Sequence, residues 1–587
     1  MLVLCLDVKV CSSIAVTARA SAVIVALLVA RVAGAETLYV DGRMTGRVTL
    51  EIAERYEPAA GTAWLRLRSF RTPSFTSPTW KQTVVSDDVT YGARPTDTNV
   101  APDGAGNQRL TESWDRPPAT VELVRRLVVD IDAGLNPVAS QAAFPPVSAP
   151  PDTERYLAAT RFVQKDDPRI QGEARRLTTG AVSQHQAVTA ILNFVTDRLT
   201  WKLEPPGHDA ITGLTGGIVN CQGYAHLSLA LLRAVGIPAR VAVGITLSKG
   251  WQVPTEGGAL VMKSGTGRHA WIEVFYPDVG WIPFDPQATH LFVSLYHIRQ
   301  AVGADVDEAA TIISGSPALP GIHETIRGDG TGEAFTLRTV SRAAAPRNYV
   351  VATRVRDVTP PAPAPPVVTP PVVTPPPPPV VAAPPTPAPA PPLRRQDFTR
   401  PVDFGNLEFP ASLRIFGAPR PSTTAGGVEA LRTFVVETAD YATGPDELAQ
   451  AFVLEQPLLL TDVALALQKF GGRSGDLWLE LRTDQGRTPG ARLADSRPLG
   501  IAGLIDRGGY RWVVFRFAPE QGGMILPAGR YWAVLRSSGD GIFNWYFSLG
   551  NAYGAPDDSR AGARGAGTWP AILNYRFNFR VTGLAKP

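Results

Sequence analysis

Between Thr359 and Pro392 the chain is roughly half proline, the rest being mostly alanine, valine and threonine. Proline fixes φ and donates no backbone hydrogen bond, so this tract fits neither a helix interior nor a central strand. Extended polyproline II is expected instead, reaching on the order of 100 Å at about 3.1 Å per residue. The tract divides the 587 residues into two stretches, and each must bury its own core. The first is too long for a single core, so the chain is expected to be multidomain. A spacer of this composition predicts two independently folded parts, separable by cutting within residues 359–392.

The N-terminus reads as a leader. Arg19 precedes the apolar run Ser21 to Ala30, followed by Arg31 and the small residues Val32-Ala33-Gly34-Ala35, where a signal peptidase would cut. Residues 1–35 are therefore expected to be a signal peptide. The alternative, a membrane anchor, needs an apolar run about twice as long. Secreted, periplasmic or cell-surface localisation follows. Removing the leader removes Cys5 and Cys11 and leaves Cys221 as the only thiol, so no intrachain disulfide is expected. With 57 basic and 53 acidic residues the net charge is only +4. No basic run is interleaved with aromatics, which argues against a nucleic-acid partner.

That remaining cysteine stands in an informative place. Asn220 is a good N-cap, and apolar residues recur at helical spacing after it until Gly236 and Pro238 punctuate the run, so Cys221 is expected in the first turn of a helix. A thiol there faces unpaired N–H groups and the positive end of the macrodipole, which favour thiolate. Downstream, Arg268-His269-Ala270-Trp271-Ile272-Glu273-Val274-Phe275-Tyr276, the turn Pro277-Asp278-Val279-Gly280 and Trp281-Ile282-Pro283-Phe284-Asp285-Pro286 read as a β-hairpin. It places His269 on one strand and Asp285 on its partner, where a carboxylate can orient an imidazole. Cys221, His269 and Asp285 then form nucleophile, base and orienter. The bland reading of Cys221, a small buried hydrophobe, does not account for the His and Asp that accompany it.

The block Asn-Cys-Gln-Gly-Tyr-Ala-His-Leu (220–227), the run Ala230 to Val241, His-Ala-Trp-Ile-Glu-Val (269–274) and Gly-Trp-Ile-Pro-Phe-Asp-Pro (280–286) resemble the bacterial transglutaminase-like superfamily. The resemblance covers roughly residues 150 to 300. It implies a papain-like α+β domain whose cysteine heads a helix packed on an antiparallel sheet carrying the histidine and aspartate. Many relatives have an acidic residue two positions after the cysteine, where this chain has Gly223.

Around this core, residues 37–148 show short strand-like runs separated by turns and are expected to form a β-sandwich, loosely resembling an immunoglobulin-like domain. Helical signals follow at Arg155 to Val163, Ile170 to Leu177 and, after the cap Ser183, Gln184 to Leu199. The central domain is placed at 150–345, with the segment after Ile313 expected to wrap and finish it. Residues 398–587 alternate as strands again and predict an all-β, jelly-roll-like sandwich. Its aromatics Trp545, Tyr546, Tyr553 and Trp569 are expected chiefly in the core, with a polysaccharide or cell-surface ligand as the rival use. All seven histidines fall between His185 and His323, but no zinc-binding spacing is present, so neither a metal nor another cofactor is expected. Trp271 and Trp281 are expected to wall the His269 imidazole, and His226 to pack away from Cys221.

The residues thus point to an exported thiol enzyme that transfers acyl groups from protein, peptide or cell-wall amides through a thioester. As the resemblance implies, a protease or amidase is favoured. The alternatives are a cross-linking transglutaminase and a non-catalytic surface-binding scaffold.

Overall fold

The computed structural model describes residues 36–587 apart from 136, 256–257, 288–291, 345–348, 353–354, 359–392, 408–415, 425, 435, 443–445, 505–510, 550–557 and 564. The expected leader, the proline tract and Tyr553 lie outside the described residues.

The N-terminal sandwich is built on long strands. Arg43–Glu57 buries alternate residues, among them Val48, Leu50, Ile52 and Tyr56, as a half-buried strand should. It pairs with Val121–Gly134 along its length, and that strand pairs with Trp80–Tyr91. A second sheet pairs Trp64–Arg71 with Gln108–Asp115. Tyr56, Leu65, Leu67, Trp114 and Leu123 share one core between the two sheets. Two later segments complete this sandwich. Gly321–Phe335 covers the other edge of Arg43–Glu57, and Ile312–Ser316 pairs with Trp64–Arg71. The expectation that the segment after Ile313 finishes the central domain is corrected accordingly. A 15-residue edge presents a row of N–H and C=O groups that needs a partner. The strand that supplies it buries almost nothing along its length, so its sequence carries no apolar alternation.

The central domain lies between these pieces. Helix α1 (Pro168–Leu177) starts on the Asp167 cap with Pro168 in its first turn, and α2 (Gln184–Arg198) starts on Ser183, whose hydroxyl accepts from Gln186 N–H. Of the helix expected at 155–163, a 3-10 turn over Glu154–Leu157 is present. The short helix α3 (Ala210–Gly216) leads to α4 (Cys221–Ala234), which ends as expected before Gly236, at φ 81°. Four antiparallel strands follow: β1 (Ala239–Thr246), β2 (Thr266–Tyr276), β3 (Gly280–Phe284) and β4 (His297–Gly303), in the order β3-β2-β1-β4. The helices cover one face, where Leu229, Val241, Val243, Ile272 and Val274 meet. The N-terminal sandwich covers the other, packing Leu50 and Trp80 with Ala242, Trp271 and Ile298. With both faces covered, every residue of β1 is buried, which explains the run without polar side chains from Val241 to Ile245.

After the proline tract, two sheets face one another across a core that includes Phe452, Leu465, Leu479, Trp545 and Val581. Trp545, Tyr546 and Trp569 are buried. Arg576 and Asn578 are buried too and hydrogen-bonded to Leu573 O and Ser548 Oγ. The parts before and after the tract are not separate bodies. Val428–Leu431 extends the sandwich sheet beside Ile312–Ser316, Val436–Glu437 pairs with Thr266 and Gly267 of β2, and Ala571–Leu573 pairs in parallel with Gly258–Met262. Lys263 Nζ also meets Asp440 at 2.6 Å.

Candidate active site

The sulfur of Cys221 stands at the start of α4 because Asn220 adopts extended backbone and its side chain accepts the Gln222 N–H. Glycine at 223 is required by packing, since a Cβ there would lie 2.4 Å from the Val219 Cβ. The acidic residue found in many relatives has no room at this position. His269 lies in β2 opposite Gly244 of β1. A Cβ at 244 would come within 1.9 Å of the Ile298 carbonyl oxygen, so only glycine allows β1 and β4 to approach so closely beside the histidine. Asp285 immediately follows β3.

The structure brings the histidine and aspartate together. His269 Nε2–H donates to Asp285 Oδ2 at 2.9 Å, and the Gln287 N–H donates to Oδ1 at 3.0 Å. Burial opposes charge on His269, but the charge and hydrogen bond of Asp285, aided by Cys221, win and raise its pKa from 6.5 to about 10. Burial likewise opposes ionisation of Asp285, and His269 with His297 overcome it, bringing that carboxyl down to about 2. Cys221 is near enough to raise the proton affinity of His269, yet His269 Nδ1 completes no hydrogen bond. The thiol instead donates to the main-chain oxygen of Phe434 at 3.5 Å. Cys221, His269 and Asp285 are 2%, 4% and 4% exposed, so the three side chains are sealed from solvent.

Sequence reasoning missed two participants. His297, at the start of β4, reaches Asp285 Oδ2 through Nε2 at 3.2 Å. Its tautomer follows from its other nitrogen, which accepts the Ser294 N–H at 3.1 Å, leaving the proton on Nε2. No motif flags it, although its place twelve residues after Asp285 in the histidine-bearing domain was a weak hint. The second is Phe434, which lies beyond the proline tract. Trp271 walls the site as expected, stacking 6.0 Å from His269 and edge-on to His297 at 5.4 Å. Trp281 does not. It pairs with Phe275 toward the far end of the hairpin, under the Arg240 guanidinium at 4.0 Å. His226 packs against Phe162 with rings 5.2 Å apart and donates from Nδ1 to His208 O.

One ligand atom from each of His269, Asp285 and His297 lies within 4.8 Å of the others. Both imidazole Nε2–H groups are spent on Asp285, so an ion would have to displace two protons and both of these hydrogen bonds.

Residues 171–286 match the transglutaminase-like superfamily, and this stretch forms a transglutaminase-like domain. Among curated proteins, the chain is 24% identical over 146 residues to the uncharacterized protein YebA of Bacillus subtilis (strain 168), covering 23% of this chain and 20% of that protein. It is 30% identical over 125 residues to a protein-glutamine gamma-glutamyltransferase of Pseudomonas aeruginosa, covering 20% of this chain and 18% of that protein. The matches thus span about a fifth of either relative. The periplasmic domain of TgpA from Pseudomonas aeruginosa, solved with ethylmercury, aligns at 21% identity over 40% of this chain and 89% of that one, with a TM-score of 0.22.

Proposed function

We propose that the chain is an exported thiol enzyme that cleaves amide bonds by acyl transfer, acting as a protease or amidase. The observation that carries this reading is a cysteine, the one thiol among the described residues, at a helix start beside an imidazole hydrogen-bonded to a buried carboxylate. In the reaction, the Cys221 thiol gives its proton to His269 Nδ1, the sulfur anion attacks the amide carbonyl carbon, and the carbonyl π electrons move to oxygen. The Cys221 N–H, in the first helical turn, is available to that oxyanion. His269 gives its proton to the departing amine as the C–N bond breaks, leaving a thioester. Water then attacks the thioester with His269 as base, and the thiolate leaves. Asp285 holds the imidazole in one tautomer and stabilises its charged form throughout. Export rests on the leader expected at residues 1–35. Among the described residues, no helix is long and apolar enough to cross a membrane.

The second reading replaces water by a lysine amine, giving a cross-link. It is favoured by the likeness to a protein-glutamine gamma-glutamyltransferase. Both readings are tested by incubating wild type and Cys221→Ala with casein and with glutamine-containing peptides, with and without a primary amine, and following mass changes. Peptide cleavage marks the hydrolase, and amine incorporation with ammonia release marks the cross-linker. Equal turnover by Cys221→Ala would remove Cys221 from the chemistry.

A further inference from the structure

The thiol is covered by its own chain, residues 428–434 and 436–437, which form a strap held on both sides of the sulfur. On one side Val428–Leu431 is hydrogen-bonded to Ile312–Ser316, and the Arg432 N–H continues the ladder onto Thr311 O at 2.8 Å. On the other, Val436–Glu437 pairs antiparallel with Gly267 and Thr266, two and three residues before His269. Between these anchors the Phe434 carbonyl oxygen faces Cys221 Sγ at 3.5 Å, and the Phe434 ring is buried in the central core. A main chain laid beside a sheet strand, with one carbonyl at the nucleophile, is how an extended peptide is presented for acyl transfer.

The strap also carries a cation two residues before that carbonyl. Arg432 is 2% exposed. Its Nη1 donates to Glu54 Oε1 at 2.7 Å, and its Nη2 meets Glu324. Glu54 and Glu324 come from the paired strands Arg43–Glu57 and Gly321–Phe335 of the N-terminal sandwich. Arg268, next to His269, also meets both, at 3.5 Å and 2.8 Å. One buried carboxylate, Glu54, and one partly buried, Glu324, are therefore balanced by two guanidinium groups, one belonging to the groove and one to the strap. When the strap leaves, this carboxylate pair keeps only Arg268, an arrangement that disfavours neutral occupants.

We propose that residues 428–437 are a built-in pseudosubstrate, and that the groove they fill is the acyl-donor site for an extended peptide with arginine or lysine two residues before the reacting carbonyl. The strap keeps the enzyme closed until it is displaced. This inference rests on the acyl-transfer reading of the same site, but its first test does not require turnover.

The test is the rate of Cys221 alkylation by iodoacetamide in the full chain. Arg432→Ala removes one anchor, and Arg432→Lys restores its charge. Val436→Pro breaks the other anchor without touching the buried charges, and so decides the matter where Arg432→Ala folds poorly. Loss of either anchor is expected to speed labelling on the order of tenfold or more, as losing a buried charged hydrogen bond or a strand pairing would allow. Arg432→Lys is expected to label close to wild type. A synthetic peptide of sequence 428–437, added to Val436→Pro, is expected to slow labelling again, and the same peptide with alanine for its arginine is not. Labelling of the anchor variants within about twofold of wild type would overturn the strap. Equal protection by the two peptides would overturn the basic-residue pocket. Fast labelling without amide cleavage or amine transfer would leave the groove standing and refute the acyl-transfer reading instead.

Discussion

Lowering the pH from 7 to 5 is expected to destabilise the central domain through two histidines away from the candidate site. His226 is buried and His185 half-buried, and desolvation lowers each pKa from 6.5 to about 4. The unfolded chain takes up their protons as pH falls through 6.5, while the folded chain takes them up only near 4, so stability is lost across that window. At pH 5 the difference amounts to about 2 kcal/mol for each, or about 4 kcal/mol together. His269 works the other way, because its folded pKa of about 10 lies above the unfolded value. Its contribution is complete only below pH 6.5, and over the same interval it adds about 1 kcal/mol. Asp285, at about 2 in the fold, loses its contribution only as pH falls from 3.8 toward 2, outside this interval. For these three histidines together the loss is about 3 kcal/mol. The assay is native-state hydrogen exchange of the slowest α4 amides at the two pH values, corrected for intrinsic exchange. His226→Asn keeps a donor for His208 O but cannot titrate, so its pH-dependent loss should be smaller by about 2 kcal/mol. Equal protection at both pH values, or an unchanged loss in His226→Asn, would refute the assignment of neutral, desolvated imidazoles.

Asp285→Asn is expected to reduce turnover about a hundredfold or more with the fold retained, because an amide supports the wrong His269 tautomer; pre-steady-state kinetics on a peptide substrate would show it. His297→Phe keeps a ring but withdraws one of the donors that hold Asp285 Oδ2. Its expected signature is an acid limb of the Cys221 alkylation profile moved to higher pH, with a stability loss of about 2 kcal/mol. Gly244→Ala pushes a methyl into the Ile298 carbonyl and is expected to lower thermal stability by about 3 kcal/mol or more. Glu273→Gln leaves Arg240 and Arg299 without the buried carboxylate both now bind; a loss of about 3–5 kcal/mol is expected in urea titrations.

What the sequence made legible was local. Asn220, Cys221 and Gly236 fix the ends of α4 through capping and a left-handed glycine, and the Asp278–Gly280 turn fixes the hairpin that joins His269 to Asp285. What it hid is pairing between distant segments. His297 meets Asp285 because β4 lies beside β1, across the sheet from the hairpin, and nothing in Leu295-Tyr296-His297 announces that. The Gly321–Phe335 strand is mostly exposed, so it lacks the alternation that would have assigned it to the sandwich. The strap was read as part of an independent domain because a proline tract suggests separation. Composition reports that the tract itself makes no core, and says nothing of what the chain does on returning.

The late closing strand also bears on how the chain is made. Arg43–Glu57 acquires its second neighbour only when Gly321–Phe335 has been synthesised, and the whole central domain is translated in between. Until then the newborn N-terminal sheet keeps one long edge open, the kind of edge that recruits strands from other chains. The order of synthesis delays final closure of the first domain until the second is complete. The strap, encoded later still, reaches the thiol only after the site it covers has been made.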